Sequence, residues 1–145
     1  MLTSIAQLYR SMQHEWQFLE IGETMIKLLL VEDDSLVRQG LRMRLGRERD
    51  MTIVGEASNG EEALALAQTT QPDVVLMDVV MPGVDGIEVT ASLRTICATC
   101  AVIILTMYDN AKLQARAQAA GAVGFLGKSE GMKNLPGAIR QAAQP

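Results

Sequence analysis

The sequence is poor in the residues that build soft metal sites. It holds two cysteines, Cys97 and Cys100, and a single histidine, His14. A structural zinc site takes four such ligands, and these three residues do not supply them. The C-x-x-C is also badly placed for redox catalysis, where the motif opens a helix just after a strand. Here it closes a helix and leads into the next strand, so the two thiols read as ordinary residues of a connecting loop. No apolar run approaches the length that spans a bilayer. Gln13, His14, Glu15 and Gln17 interrupt the N-terminal region where a secretory signal needs its hydrophobic stretch. Basic charge is not in excess: the net charge is −4, which leaves no electrostatic footprint for nucleic acid and no polybasic membrane patch. Together these absences read as a cytoplasmic chain that touches neither DNA nor membrane by itself.

What is present suits one ordinary globular domain. Of the 145 residues, 48% are hydrophobic and 21% charged, enough for a normal core. The chain is organised around Pro72–Gly86, PDVVLMDVVMPGVDG. Val74, Val75, Leu76 and Met77 run without interruption into Asp78, the pattern of a strand buried on both faces of a parallel sheet. Pro82 and Gly83 stop the strand and Asp85-Gly86 opens the next element. Asp78 thus falls at the carboxyl end of a central strand, the edge where open α/β sheets bind ligands. By itself such an aspartate reads as a cap or a solvated charge. Its surroundings change that reading.

Residues 1–25 look like an addition. Ile5, Leu8, Tyr9, Met12, Trp16 and Leu19 share one helical stripe, which fits either an amphipathic helix or a start that is not native, because Met25 immediately precedes the first strand. From Ile26 onward, strands are expected at Ile26–Val31, Thr52–Ala57, Val74–Asp78, Val102–Thr106 and Ala122–Leu126. Helices are expected at Ser35–Gly46, Gly60–Gln68 behind an Asn59 cap, Gly86–Ile96, Asn110–Ala120 with Gly121 as terminator, and through Leu135, Ile139 and Ala142. Pro136 is tolerated if that last helix starts close before it. Five strands alternating with five helices imply an α/β fold: a doubly wound parallel sheet with helices on both faces, of flavodoxin-like order 2-1-3-4-5. The domains expected are therefore an extension, 1–25, and a globular unit, 26–145.

In that order the first and third strands are neighbours. Glu32, Asp33 and Asp34 then crowd against Asp78, and like charges at that range raise one another's pKa unless compensated. A hard divalent cation compensates them, and Mg²⁺ prefers such oxygen ligands. Thr106 ends the fourth strand and Lys128 follows the fifth. Acids, a metal, a hydroxyl and an ammonium on one edge suit a phosphoryl group on Asp78, with Lys128 and the metal neutralising its oxygens and Thr106 donating to one of them.

At this point the chain from Met25 to Gln144 closely resembles the response-regulator receiver domain of two-component signalling. The resemblance rests on four strings in order: L-L-L-V-E-D-D, V-L-M-D-V-V-M-P-G-V-D-G, I-I-L-T-M-Y-D and A-G-A-V-G-F-L-G-K. It implies that Glu32 and Asp33 are the acidic pair, because Arg38 then lies at the usual distance, and that Asp34 is only their neighbour. It implies Asp78 as phosphoacceptor, Thr106 and Lys128 as its partners, and Phe125 as the aromatic switch. The implied metal is Mg²⁺ on Asp33, Asp78, Glu32 and the backbone carbonyl of Val80. The implied partners are a sensor histidine kinase and a second copy of the chain, met through the face of the fourth helix, fifth strand and fifth helix; the apolar stripe of the N-terminal helix also needs cover, from the domain or from a second copy. L-T-M-Y-D and Ser129 look like the NarL/FixJ subfamily, whose DNA contact comes from a helix-turn-helix that is expected to be absent here, the chain ending at Pro145. The resemblance makes the domain a phosphoacceptor that is not a turnover enzyme. Val80 cannot orient a hydrolytic water as a polar side chain there could, and Met107 fills a place that is small in many receivers and further restricts access, so a long-lived phosphoryl group is expected.

Three alternatives compete. A haloacid-dehalogenase-type phosphohydrolase wants a second acid two residues after its aspartate, where this chain has Val80. A flavodoxin wants Ser, Thr and Gly after the first strand, where this chain has Glu32-Asp33-Asp34, which repels phosphate. A stand-alone or degenerate receiver would serve as a protein-interaction module, although none of the expected site residues is missing.

Overall fold

The computed structural model describes residues 25–108, 110–129 and 131–144, so the helix expected within residues 1–25 lies outside the described residues. The strands are β1 (Ile26–Val31), β2 (Met51–Ala57), β3 (Val74–Asp78), β4 (Ala101–Thr106) and β5 (Gly124–Gly127). The helices are α1 (Ser35–Leu45), α2 (Gly60–Thr70), α3 (Gly86–Ile96), α4 (Ala111–Ala120) and α5 (Leu135–Ala143), with a single 3₁₀ turn at Gly131–Lys133. All four strand pairings are parallel, in the order β2-β1-β3-β4-β5. The expected doubly wound topology is therefore the observed one.

The central strands are apolar on both sides because both sides are covered. Leu29, Val31, Val75, Met77 and Ile104 pack under α2, α3 and α4, against Ala63, Ala67, Ile87, Leu93 and Ala117. Leu28, Leu30, Leu76, Ile103 and Leu105 point the other way, onto Leu41 and Leu45 of α1 and Leu135 and Ile139 of α5. This period-2 split of one continuous apolar run is what a doubly covered parallel strand requires.

Side chains cap the helix starts, at Asn59 as expected and also at Asp85 and Asn110. Asn59 accepts from Glu62 N–H, Asp85 from Ile87 N–H and Asn110 from Leu113 N–H, each satisfying a donor the first turn leaves open. Pro136 lies in the first turn of α5, where no N–H is needed. Gly121 closes α4 in the left-handed conformation at φ 109°. The main shift from expectation is β5. Ala122 still donates to Ala117 O in the cap of α4, so the strand begins at Gly124 and not at Ala122.

The cysteines correct the sequence reading. Cys97 and Cys100 are not two ordinary thiols but a disulfide. Cys97 caps α3, and the chain folds back so that Cys100 N–H donates to Cys97 O at 3.0 Å. That turn brings the two Cα atoms to 5.4 Å, inside the range a disulfide spans. Residue spacing alone does not fix this turn.

Two glycines make contrasting demands. A Cβ on Gly86 would overlap the carbonyl oxygen of Asp78 and come within 3.0 Å of Val79 Cα, so α3 can begin directly against the end of β3 only with glycine. Gly40 lies mid-helix on the exposed side of α1, with nothing within 4 Å of its Cβ direction. Gly86→Ala is expected to destabilise the fold by about 1–3 kcal/mol through overpacking. Gly40→Ala is expected to stabilise it by about 0.5–1 kcal/mol through helix propensity. Urea denaturation of the two variants checks both signs.

Candidate functional site at the carboxyl edge

β1 and β3 lie side by side, with Val31 opposite Met77, so the residues that follow them meet. Glu32 is 2% exposed and Asp78 6%, while Asp33 faces solvent. One carboxylate oxygen from each of these three lies within 4.8 Å of the others. The expected fourth acid is elsewhere: Asp34 caps α1, accepting from Leu36 N–H at 2.9 Å and Val37 N–H at 3.2 Å. It is a neighbour of the cluster and not a member.

Lys128 offsets part of the cluster's charge. Its Nζ lies 2.5 Å from Glu32 Oε1 and 3.4 Å from Asp78 Oδ1. Burial lowers the ammonium's affinity for its proton, but the hydrogen bond to Glu32 and the charges of Asp78 and Glu32 outweigh it, and the net direction is up. The sequence pairs Lys128 with a group on Asp78; the closer contact is with Glu32. The position of Lys128 is fixed by its backbone, whose N–H donates to Thr106 O at 2.8 Å and extends the β4–β5 ladder by one bond.

Thr106 is 1% exposed. Its hydroxyl oxygen accepts from Tyr108 N–H at 3.0 Å, which leaves its proton free to be donated. Val80 presents its side chain to solvent, and its N–H reaches Asp78 Oδ1 at 3.4 Å. Phe125 is half-buried against the core beneath α4. It pairs with Ile104, two residues before Thr106 on the same face of β4, while Thr106 itself pairs with Gly127. A cleft of about 110 Å³ lined by Gln114, Ala117 and Gln118 of α4 opens beside the ring.

Two further residues support the site. Arg38 donates to the Glu32 carbonyl at 2.6 Å and pairs with Glu56 at 3.3 Å, pinning the backbone where β1 ends. Asp85 joins Arg116 of α4 at 3.1 Å, tying the β3–α3 loop to that helix. Sequence spacing marked Arg38 only as a ruler for the acidic pair, and nothing in the sequence pointed to Arg116.

The residues fit a hard cation. Glu32 Oε2 is buried with no hydrogen-bond partner, a costly condition for a carboxylate oxygen. A divalent ion among three carboxylates removes that cost, and these are the oxygen donors Mg²⁺ takes. Burial, then the neighbouring Asp78 carboxyl, push the Glu32 carboxyl up to about 7 from 4.5.

Because the folded protein then holds a proton that the unfolded chain has lost, stability falls as pH rises between about 4.5 and 7. In chelator, the denaturation midpoint is expected to drop across that window. Glu32→Gln should flatten the slope, and Mg²⁺ should restore stability to the native chain above pH 7. A pH series of urea melts with and without the ion checks this.

Among the described residues, no helix is long and apolar enough to cross a membrane. The response regulator receiver domain matches residues 28–140. The chain is 40% identical to the response regulator GacA of Pseudomonas aeruginosa over 117 residues, 81% of this chain and 55% of that protein. It is 41% identical to the response regulator UvrY of Escherichia coli over 116 residues, 80% and 53% of the two chains. The chain thus spans about half the length of the curated relatives it matches. Among solved structures, the receiver domain of the response regulator NarL from Mycobacterium tuberculosis superposes with a TM-score of 0.78 at 31% identity, covering 82% of this chain and 96% of that one. The receiver domain of Thermotoga maritima CheB gives 0.77 at 30%, covering 83% and 99%. A buried acidic cluster with its lysine, on a sheet of this order, accompanies likeness along most of the chain, and the protein belongs to the response regulator receiver domains of two-component systems, with relatives of NarL/FixJ type.

Proposed function

We propose that Asp78 accepts a phosphoryl group from a phosphohistidine of a sensor kinase, and that this switches the face made by α4, β5 and α5. The observation that carries the reading is Lys128, held 3.4 Å from Asp78 Oδ1 beside a buried carboxylate pair. One oxygen of Asp78 attacks phosphorus in line, the bond to the histidine nitrogen breaks, and that nitrogen keeps the electron pair. Mg²⁺ on Asp33, Asp78, Glu32 and the Val80 carbonyl would offset the negative charge of the transferring group. Lys128 can exchange its contact with Glu32 for a phosphoryl oxygen, and the free proton of Thr106 can be donated to another.

Inward movement of the Thr106 side chain vacates space above Phe125, and the ring turns to fill it. Such a change is a population shift between two packings, biased by one new hydrogen bond and one ion pair. The altered face would serve a second copy of the chain. The receiver unit is 26–145, with 1–25 an extension. The domain is a phosphoacceptor and not a turnover enzyme, it acts in the cytoplasm, and it governs transcription through a DNA-binding output part of the protein outside these residues. Relatives in Bacillus subtilis and Pseudomonas aeruginosa that are named as transcriptional regulators support that last step.

Incubation with acetyl phosphate and Mg²⁺ is expected to add one phosphoryl group by intact mass, and Asp78→Asn should add none; equal labelling of the variant would sink the assignment. Asp33→Ala should abolish Mg²⁺ binding by titration calorimetry. With Val80 unable to align a water, the phosphoryl group should outlast minutes, and Val80→Asn should shorten its half-life.

A further inference from the structure

The disulfide lies outside the site described above, at the amino edge of the sheet. Its two residues differ in exposure. Cys97 is 2% exposed and belongs to the core under α3, while Cys100 is half-buried beside the exposed Ala98 and Thr99. The bond closes a loop of four residues, so little reorganisation separates the bonded and the open states. We propose that Cys97 and Cys100 are a reversible thiol–disulfide modification site, with Cys100 the attacking sulfur, Cys97 the resolving one, and a small disulfide of the glutathione class as oxidant.

The exchange balances in two steps. The Cys100 thiolate attacks one sulfur of the oxidant, forming a mixed disulfide and releasing one thiolate. Cys97 gives up its proton and attacks Cys100 Sγ, which forms the internal bond and releases the second thiolate. The two protein protons end on the two released thiols, and two electrons pass from the protein to the oxidant. Attack by an external thiolate on Cys100 Sγ reverses the sequence.

Position sets the kind of role. A C-x-x-C that opens a helix has its thiolate favoured by the positive end of the helix, which makes a fast catalytic pair. This one closes α3, where the negative end disfavours a thiolate. It therefore suits a bond that follows the redox poise of its surroundings, the use to which disulfides in reducing compartments are put. The bond also has a mechanical reach. Cys97 N–H donates to Leu93 O at 2.8 Å in the last turn of α3. In that turn Arg94 packs its guanidinium against Gly121, the terminator of α4. The staple thus holds the end of α3 that supports α4.

The test uses the full chain, reduced and then exposed to excess glutathione disulfide, with intact mass read over time. The native chain is expected to lose two hydrogens and retain no adduct. Cys97→Ser should hold one glutathione on Cys100. Cys100→Ser should take up none while folded and one after unfolding in denaturant, which shows that its thiol is present but shielded. A native chain that stays a dithiol would overturn the proposal, as would equal uptake by the two folded variants. Hydrogen exchange at Arg94–Cys97 and Gly121–Val123 should be faster in the reduced protein, and identical exchange in the two redox states would overturn the link to α4.

Discussion

Like charge held at short range is the constraint on which the rest of this structure depends. Three carboxylates converge where β1 and β3 end, and two of them, Glu32 and Asp78, are buried. Such a cluster is unfavourable unless paired. The fold answers with Lys128, carried on the far side of the sheet after β5 and fastened by its backbone to Thr106. The answer is incomplete: Glu32 Oε2 has no partner, and the Glu32 carboxyl keeps its proton to about neutrality. Stability is given up at this edge, as is usual where a site must bind a ligand.

The topology follows from the same need. Asp78 and the Glu32–Asp33 pair come from strands far apart in sequence, and only an order that places β1 beside β3 brings them together. β4 and β5 then deliver Thr106 and Lys128 to the same edge in sequence. Gly86 allows α3 to start against the Asp78 carbonyl, so the helix closes the site from beneath without displacing the strand end. Arg38 pins the other strand end through the Glu32 carbonyl. Packing and electrostatics are therefore not separable here. The apolar runs that fix the strands also fix where the charges arrive.

Most of this was legible in the sequence. The uninterrupted run Val74–Met77 set β3 to the residue, and the Asn59 cap and the Asp85-Gly86 pair marked two helix starts, because both signals are local; Asn110, read as the first residue of its helix, is its cap. The cluster Glu32, Asp33 and Asp78 was legible once the strand order was. Less legible were features that depend on long-range geometry. The sequence pairs Lys128 with a group on Asp78, but its shorter contact is to Glu32. Arg116 reaches Asp85 across 31 positions, a separation at which no spacing rule operates. The start of β5 moved because the cap of α4 consumed Ala122. The disulfide was misread because the turn joining Cys97 and Cys100 is set by how α3 ends, and a C-x-x-C pattern carries no record of that.

The hydrogen bonding of Thr106 bears on how a signal would leave the site. Its hydroxyl oxygen already accepts from Tyr108 N–H, and its proton is what it would offer a phosphoryl oxygen. A side chain drawn toward a phosphoryl oxygen therefore faces a choice of two costs. It can break the bond to Tyr108, whose N–H then turns to water, or it can carry Met107 and Tyr108 along. Both of those side chains are largely exposed, so the second course meets little packing resistance and keeps a hydrogen bond worth about 0.5–1.5 kcal/mol net. The loop should follow. Asn110 caps α4, so in the proposed switch the inward step that would clear space for Phe125 would also shift the start of α4. In the proposed switch one hydrogen bond thus works on the face from two sides, through the ring on β5 and through the loop that leads into the helix.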